Sequence, residues 1–128
     1  MASKILIIDD DIDLVEVLRI TLEIEGFEVI DAQEGERGYR LVVEERPDLI
    51  ILDVMMTTTD EGFAVAQRIR ANPEIAHTKI IMLTAVSQEL GFKYEKDDDL
   101  TPVDEFIEKP ILPDRLIHII KKHLNLAQ

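Results

Sequence analysis

The chain has no cysteine and no tryptophan, and only 14 Lys and Arg stand against 27 Asp and Glu among its 128 residues. Without cysteine, neither a disulfide framework nor a thiolate metal site is available. No apolar run approaches the roughly 20 residues that span a bilayer, and the N-terminus lacks the apolar core of a secretory signal. A soluble cytoplasmic protein without membrane association is therefore expected. Glycine and proline number five each, and no repeat, linker or low-complexity tract breaks the pattern. The shortage of positive charge is the most informative absence. A formal net charge of −13 repels nucleic acid and anionic lipid and attracts cations and basic surfaces. What is present is a hydrophobic fraction of 46%, enough for a full core, on a length that suits one domain over residues 1–128.

Short apolar runs of strand length recur along the chain: Ile5-Leu6-Ile7-Ile8, Leu49-Ile50-Ile51-Leu52, Ile80-Ile81-Met82-Leu83 and a shorter Glu105-Phe106-Ile107-Glu108, with Phe27-Glu28-Val29-Ile30 after a glycine. The continuous runs do not alternate apolar with polar residues, as expected of strands buried on both faces of a parallel sheet. Helical spacing fills the gaps. Leu14, Val15, Leu18, Leu22 and Ile24 stripe a first helix that Gly26 can stop. Tyr39, Leu41, Val42 and Val43 mark a second, ended by Arg46-Pro47, and Phe63, Ala66, Ile69 and Arg70 a third, ended near Asn72-Pro73. The last helix starts at Pro113 and buries Leu116, Ile117, Ile120 and Leu124, with Lys121, Lys122 and His123 facing the negative end of its dipole. Between Val86 and Thr101, Gly91 and the Asp97–Asp99 run allow only a short or frayed helix. Strands alternating with helices predict an α/β fold: a flavodoxin-like, doubly wound sheet of five parallel strands in the order 2-1-3-4-5, with helices on both faces.

In such folds ligands bind beyond the carboxyl ends of the strands. Those ends carry Asp9-Asp10-Asp11, Asp53, Thr84-Ala85 and Lys109-Pro110. Crowded carboxylates hold a proton or recruit a cation, and an all-oxygen donor set favours a hard ion such as Mg²⁺. A lysine beside them adds positive charge for an incoming phosphoryl group, and aspartate is a nucleophile able to form an acyl phosphate. These are the parts of phosphoryl transfer, which is mostly positioning and charge stabilisation.

With Ile7-Ile8-Asp9-Asp10-Asp11, Leu52-Asp53-Val54-Met55-Met56, Leu83-Thr84-Ala85 and Phe106-Ile107-Glu108-Lys109-Pro110 in order, the chain resembles the receiver domain of two-component response regulators over essentially its whole length. The resemblance implies that Asp53 is the phosphoacceptor and that Asp10, Asp53 and the main-chain carbonyl of Met55 hold Mg²⁺, with Asp9 acting through a water. It further implies that Lys109 pairs with Asp53 and then with the phosphoryl oxygens. Thr84 would hydrogen-bond the phosphoryl group, and Phe106 would stand at an aromatic switch position. The donor would be a phosphohistidine on a sensor histidine kinase or histidine phosphotransfer protein. The chain would catalyse only its own phosphorylation and dephosphorylation and would signal as a stand-alone module through a protein partner, with room for a weak homodimer.

Plainer readings stand beside these. Asp11 is expected to cap the first helix rather than bind metal, and Phe106 can be simple core. His77, His118 and His123 are too scattered for a zinc site and read as surface or helix-face residues. Two stretches depart from the family pattern: the loop Thr57-Thr58-Thr59-Asp60-Glu61-Gly62 is longer and lacks a proline, and Thr101-Pro102-Val103-Asp104 replaces a Gly-Ala pair before the fifth strand. Met55 and Val86 offer no group to orient an attacking water, which predicts slow self-dephosphorylation. The rival functions are a pseudo-receiver that binds proteins without phosphorylation, a dehalogenase-type phosphatase read from Asp9-x-Asp11, and a flavodoxin-type electron carrier. The second leaves Asp53 unexplained. The third needs a first loop rich in hydroxyls and glycine, where this chain has three acids.

Overall fold

Alternate residues of the central strands face opposite ways, and each set finds its own layer of helices. The computed structural model describes residues 2–53, 61–84 and 103–126. Within them lie β1 (Lys4–Ile8), α1 (Ile12–Ile24), β2 (Glu28–Ala32), α2 (Gly35–Glu45), β3 (Leu49–Asp53), α3 (Glu61–Ala71), β4 (Lys79–Thr84), β5 (Glu105–Glu108) and α4 (Pro113–His123). The strands form one parallel sheet in the order β2-β1-β3-β4-β5. This is the flavodoxin-like architecture expected from the alternation of strands and helices.

Ile5, Ile7, Leu49, Ile51, Ile81, Leu83 and Ile107 pack with Val15, Leu18 and Leu22 of α1 and Leu116, Ile119 and Ile120 of α4. Leu6, Ile8, Ile50, Leu52, Ile80 and Met82 face the other way, onto Val42 of α2 and Val65, Ala66 and Ile69 of α3. Burial on both faces explains why these strands read as unbroken apolar runs. At about 25 cal/mol per Å² of apolar surface removed from water, the two layers dominate the folding free energy.

Local signals set the helix limits. Asp11 accepts a hydrogen bond from the Leu14 N–H (3.1 Å) and caps α1 as expected. The chain leaves α1 through Gly26, whose φ of +95° favours a residue without Cβ. α2 ends on Arg46 in the left-handed region, directly before Pro47. Gly38 brings α2 against β1, for a Cβ there would fall 2.5 Å from Ile8 Cδ1.

Two expectations need correction. Ile24 is 78% exposed and does not join the buried stripe of α1, because the stripe follows Val15, Leu18 and Leu22 on the opposite face. His123 is not a plain helix-face residue: its ring is mostly covered and Nε2 lies 2.8 Å from Glu105 Oε1. The expected short helix between Val86 and Thr101 lies outside the described residues.

Candidate functional site

The carboxyl ends of β1, β3 and β4 meet at one edge of the sheet because parallel pairing aligns them: Ile8 lies beside Leu52, and Asp53 beside Leu83. The next residues along β1 and β4 are Asp9 and Thr84. Asp9, Asp53 and Thr84 are all buried, at 1%, 4% and 1% exposure, whereas Asp10 is exposed. β5 ends beside Thr84, and the Lys109 N–H donates to the Thr84 carbonyl at 2.8 Å. The Lys109–Pro110 peptide that follows is cis. From there the Lys109 ammonium reaches to 3.6 Å from Asp53 Oδ1.

Asp9 is fixed by its surroundings. Its N–H donates to the Ala32 carbonyl (3.0 Å), and its Oδ1 accepts from the Asp11 N–H (2.9 Å). Oδ2 is buried without a hydrogen-bond partner among the described residues. Burial is the main reason its carboxyl is pushed up to about 7; the neighbouring Asp53 charge adds to the shift, while the Asp11 N–H and Lys109 oppose it.

An orphaned carboxylate oxygen in a buried site marks a place for a proton or a cation. One carboxylate oxygen each from Asp9, Asp10 and Asp53 can gather within 4.8 Å of one another. This oxygen-only set fits a hard divalent cation, which offsets the mutual repulsion of the acids. Asp9, Asp10, Asp53, Thr84 and Lys109 thus come together as the sequence suggested. Met55, whose carbonyl was expected to join them, lies outside the described residues, as does Val86.

Phe106 lies apart from the acids. It is half-buried on β5 against the cluster beneath α2 and α3, and it borders an open cleft of 380 Å³ with Pro110, Leu112 and Arg115. Sequence reading passed over the ion pairs that hold β5. The available signal was a pair of consecutive acids, Asp104 and Glu105, opening a strand with little apolar content.

Comparison with known proteins places this arrangement. Residues 5–121 match the response regulator receiver domain. The DNA-binding dual master transcriptional regulator RpaA of Synechocystis is 42% identical over 102 residues, covering 77% of this chain and 42% of that protein. The phosphate regulon transcriptional regulatory protein PhoB of Pseudomonas aeruginosa is 32% identical over 129 residues, covering 98% of this chain and 53% of that protein. The chain thus spans about half the length of these curated relatives. Among solved structures, the chemotaxis response regulator CheY4 of Vibrio cholerae superposes with a TM-score of 0.81 at 26% identity, covering 96% of this chain and 99% of that one. A CheY-like receiver domain protein from Methanospirillum hungatei gives 0.78 at 26% identity, covering 98% and 95%. The fold, the acidic strand edge and the match over nearly the whole sequence agree: the chain belongs to the response regulator receiver domain family.

Proposed function

We propose that Asp53 accepts a phosphoryl group from a phosphohistidine donor, in a pocket completed by Asp9, Asp10, Thr84 and Lys109. The observation that carries this reading is the position of Asp53, buried between the Asp9 carboxylate and the Lys109 ammonium at the sheet edge. A carboxylate oxygen of Asp53 attacks phosphorus as the P–N bond to the donor imidazole breaks. The products are an acyl phosphate and a neutral imidazole once the leaving nitrogen takes a proton. Lys109 turns from Asp53 to the phosphoryl oxygens, and the Thr84 hydroxyl donates to one of them. Asp10, Asp53 and the Met55 carbonyl would hold Mg²⁺, with Asp9 reaching it through a water. When bound, that ion supplies the positive charge that offsets the phosphoryl oxygens and relieves the crowding of the acids. The donor is a sensor histidine kinase or a histidine phosphotransfer protein.

The chain works in this reading as a single domain over residues 1–128 that signals through a protein partner and catalyses only its own phosphorylation and dephosphorylation. The length of the curated relatives favours a second reading of the output alone, in which the receiver reports to an attached domain. The test is incubation with acetyl phosphate and Mg²⁺ followed by intact mass. One phosphoryl adduct is expected in the parent and none in Asp53→Asn. No adduct and no Mg²⁺ binding would point instead to a phosphorylation-independent binding module.

A further inference from the structure

β5 delivers the only cation described at the acidic edge, yet it is the least anchored strand by apolar contact. Of its residues Glu105–Glu108, only Ile107 is buried, whereas β3 is buried throughout and β1 and β4 are buried at all but their first positions. It lies at the edge of the sheet and pairs with β4 alone. Register is weakly specified where apolar alternation is poor, and a slip along β4 would carry Lys109 away from Asp53.

The polar contacts supply what the apolar ones lack. Asp104 Oδ2 accepts from the Ile80 N–H at 2.8 Å and from Arg70 Nη2 at 2.7 Å, while the Asp104 N–H donates to the Ile80 carbonyl at 2.9 Å. Arg70, on α3, also donates to the carbonyls of Ala76 (2.8 Å) and Thr78 (2.6 Å), which ties it to the turn that starts β4. The next residue points to the other face: Glu105 Oε1 lies 2.8 Å from His123 Nε2 and 3.2 Å from Lys122 Nζ, both on α4. Both acids are about three-quarters covered, so these bonds are less screened than surface pairs.

We propose that Asp104 and Glu105, gripped from opposite faces by Arg70 and by His123 with Lys122, are positioning residues that fix the register of β5 and so the place of Lys109 beside Asp53. The inference rests on the proposed phosphoryl acceptance by Asp53. The pins act at the start of the strand and the lysine at its end, where the Lys109 N–H is already locked to the Thr84 carbonyl. The pins stand beside Ile80 and Ile81, toward the start of β4, whereas the acids gather past its far end, so loss of the pins should leave cation binding intact and disturb only the lysine.

The test compares the full chain with the double variant Asp104→Asn/Glu105→Gln, which keeps side-chain shape and removes both charges. At a temperature well below unfolding, amide hydrogen exchange at Lys109 should speed up at least tenfold. Adduct formation from acetyl phosphate should slow at least fivefold, and Mg²⁺ affinity should stay within twofold. In a Lys109→Ala background the same pair of changes should have no further effect on adduct formation, since the pins act through that lysine. Parental exchange at Lys109 in the double variant, or slowed adduct formation that persists without Lys109, would overturn the proposal. If the parent takes no phosphate, the acceptor reading fails, and the exchange at Lys109 still decides whether the pins hold the strand.

Discussion

The central strands and the edge strand β5 reach the same site by different physics. β1, β3 and β4 are held by continuous apolar burial on both faces, and they deliver Asp9, Asp53 and Thr84. β5 has a single buried side chain and is held by ion pairs, and it delivers Lys109. Asp9 and Asp53 therefore end strands anchored by apolar burial, while the cation ends a strand anchored mainly by polar contacts. That division suits the proposed phosphoryl transfer, in which the acids stay in place as the lysine changes partner from a carboxylate to a phosphoryl group.

The largest effect expected on the central side concerns Asp9. In the folded chain its carboxyl keeps a proton up to about pH 7, while in the unfolded chain it ionises near 3.8. The folded state thus binds the extra proton between these values, and stability falls as pH rises through that window. The metal-free parent should lose at most about 4 kcal/mol from this group between about pH 4 and pH 8. Urea unfolding of the parent and of Asp9→Asn across that range reads the difference: the variant should gain on the parent as pH rises. Parallel stability curves would show that the burial of this carboxylate carries no such cost.

Next comes packing. Ile51→Ala, fully buried in the middle of β3, should cost about 3 kcal/mol through lost burial and the cavity left behind. Gly38→Ala should cost about 2 kcal/mol, because the added methyl presses on Ile8, which is itself fully buried. A Gly38→Ala chain as stable as the parent would show that α2 can draw back from β1 without loss. On the edge side, Glu105→Gln should cost only about 1 kcal/mol in the same urea measurement, because glutamine keeps the side-chain shape and can still hydrogen-bond His123 and Lys122. If Glu105→Gln cost as much as Ile51→Ala, the contrast between apolar and ionic anchoring would collapse.

The parts legible in the sequence follow the same division. Short, β-branched, unbroken apolar runs such as Leu49–Leu52 read as strands covered on both sides, and the charged or hydroxyl residue ending each run marks the site edge. Asp11 was readable as a cap because its position before an apolar periodic segment leaves it that role. Ile24 was misread because an apolar residue near a helix end matches the stripe loosely, and only the packing direction of α1 excludes it. The two acids at the start of β5 were visible in the sequence, but their partners were not, since Arg70 and Asp104 are 34 residues apart and Glu105 and His123 are 18 apart. Nothing local in the sequence pairs such charges, and only the crossovers of the fold bring them together.

The central claim is that the acid at the end of β3 is the nucleophile. Its most direct test is to treat the acetyl phosphate-labelled chain with borohydride, which reduces an acyl phosphate to an alcohol, and to locate the product by peptide mass spectrometry. The account predicts homoserine at position 53 and aspartate retained at positions 9 and 10. Homoserine at Asp9 or Asp10 in its place, or none in a chain that binds Mg²⁺, would contradict it.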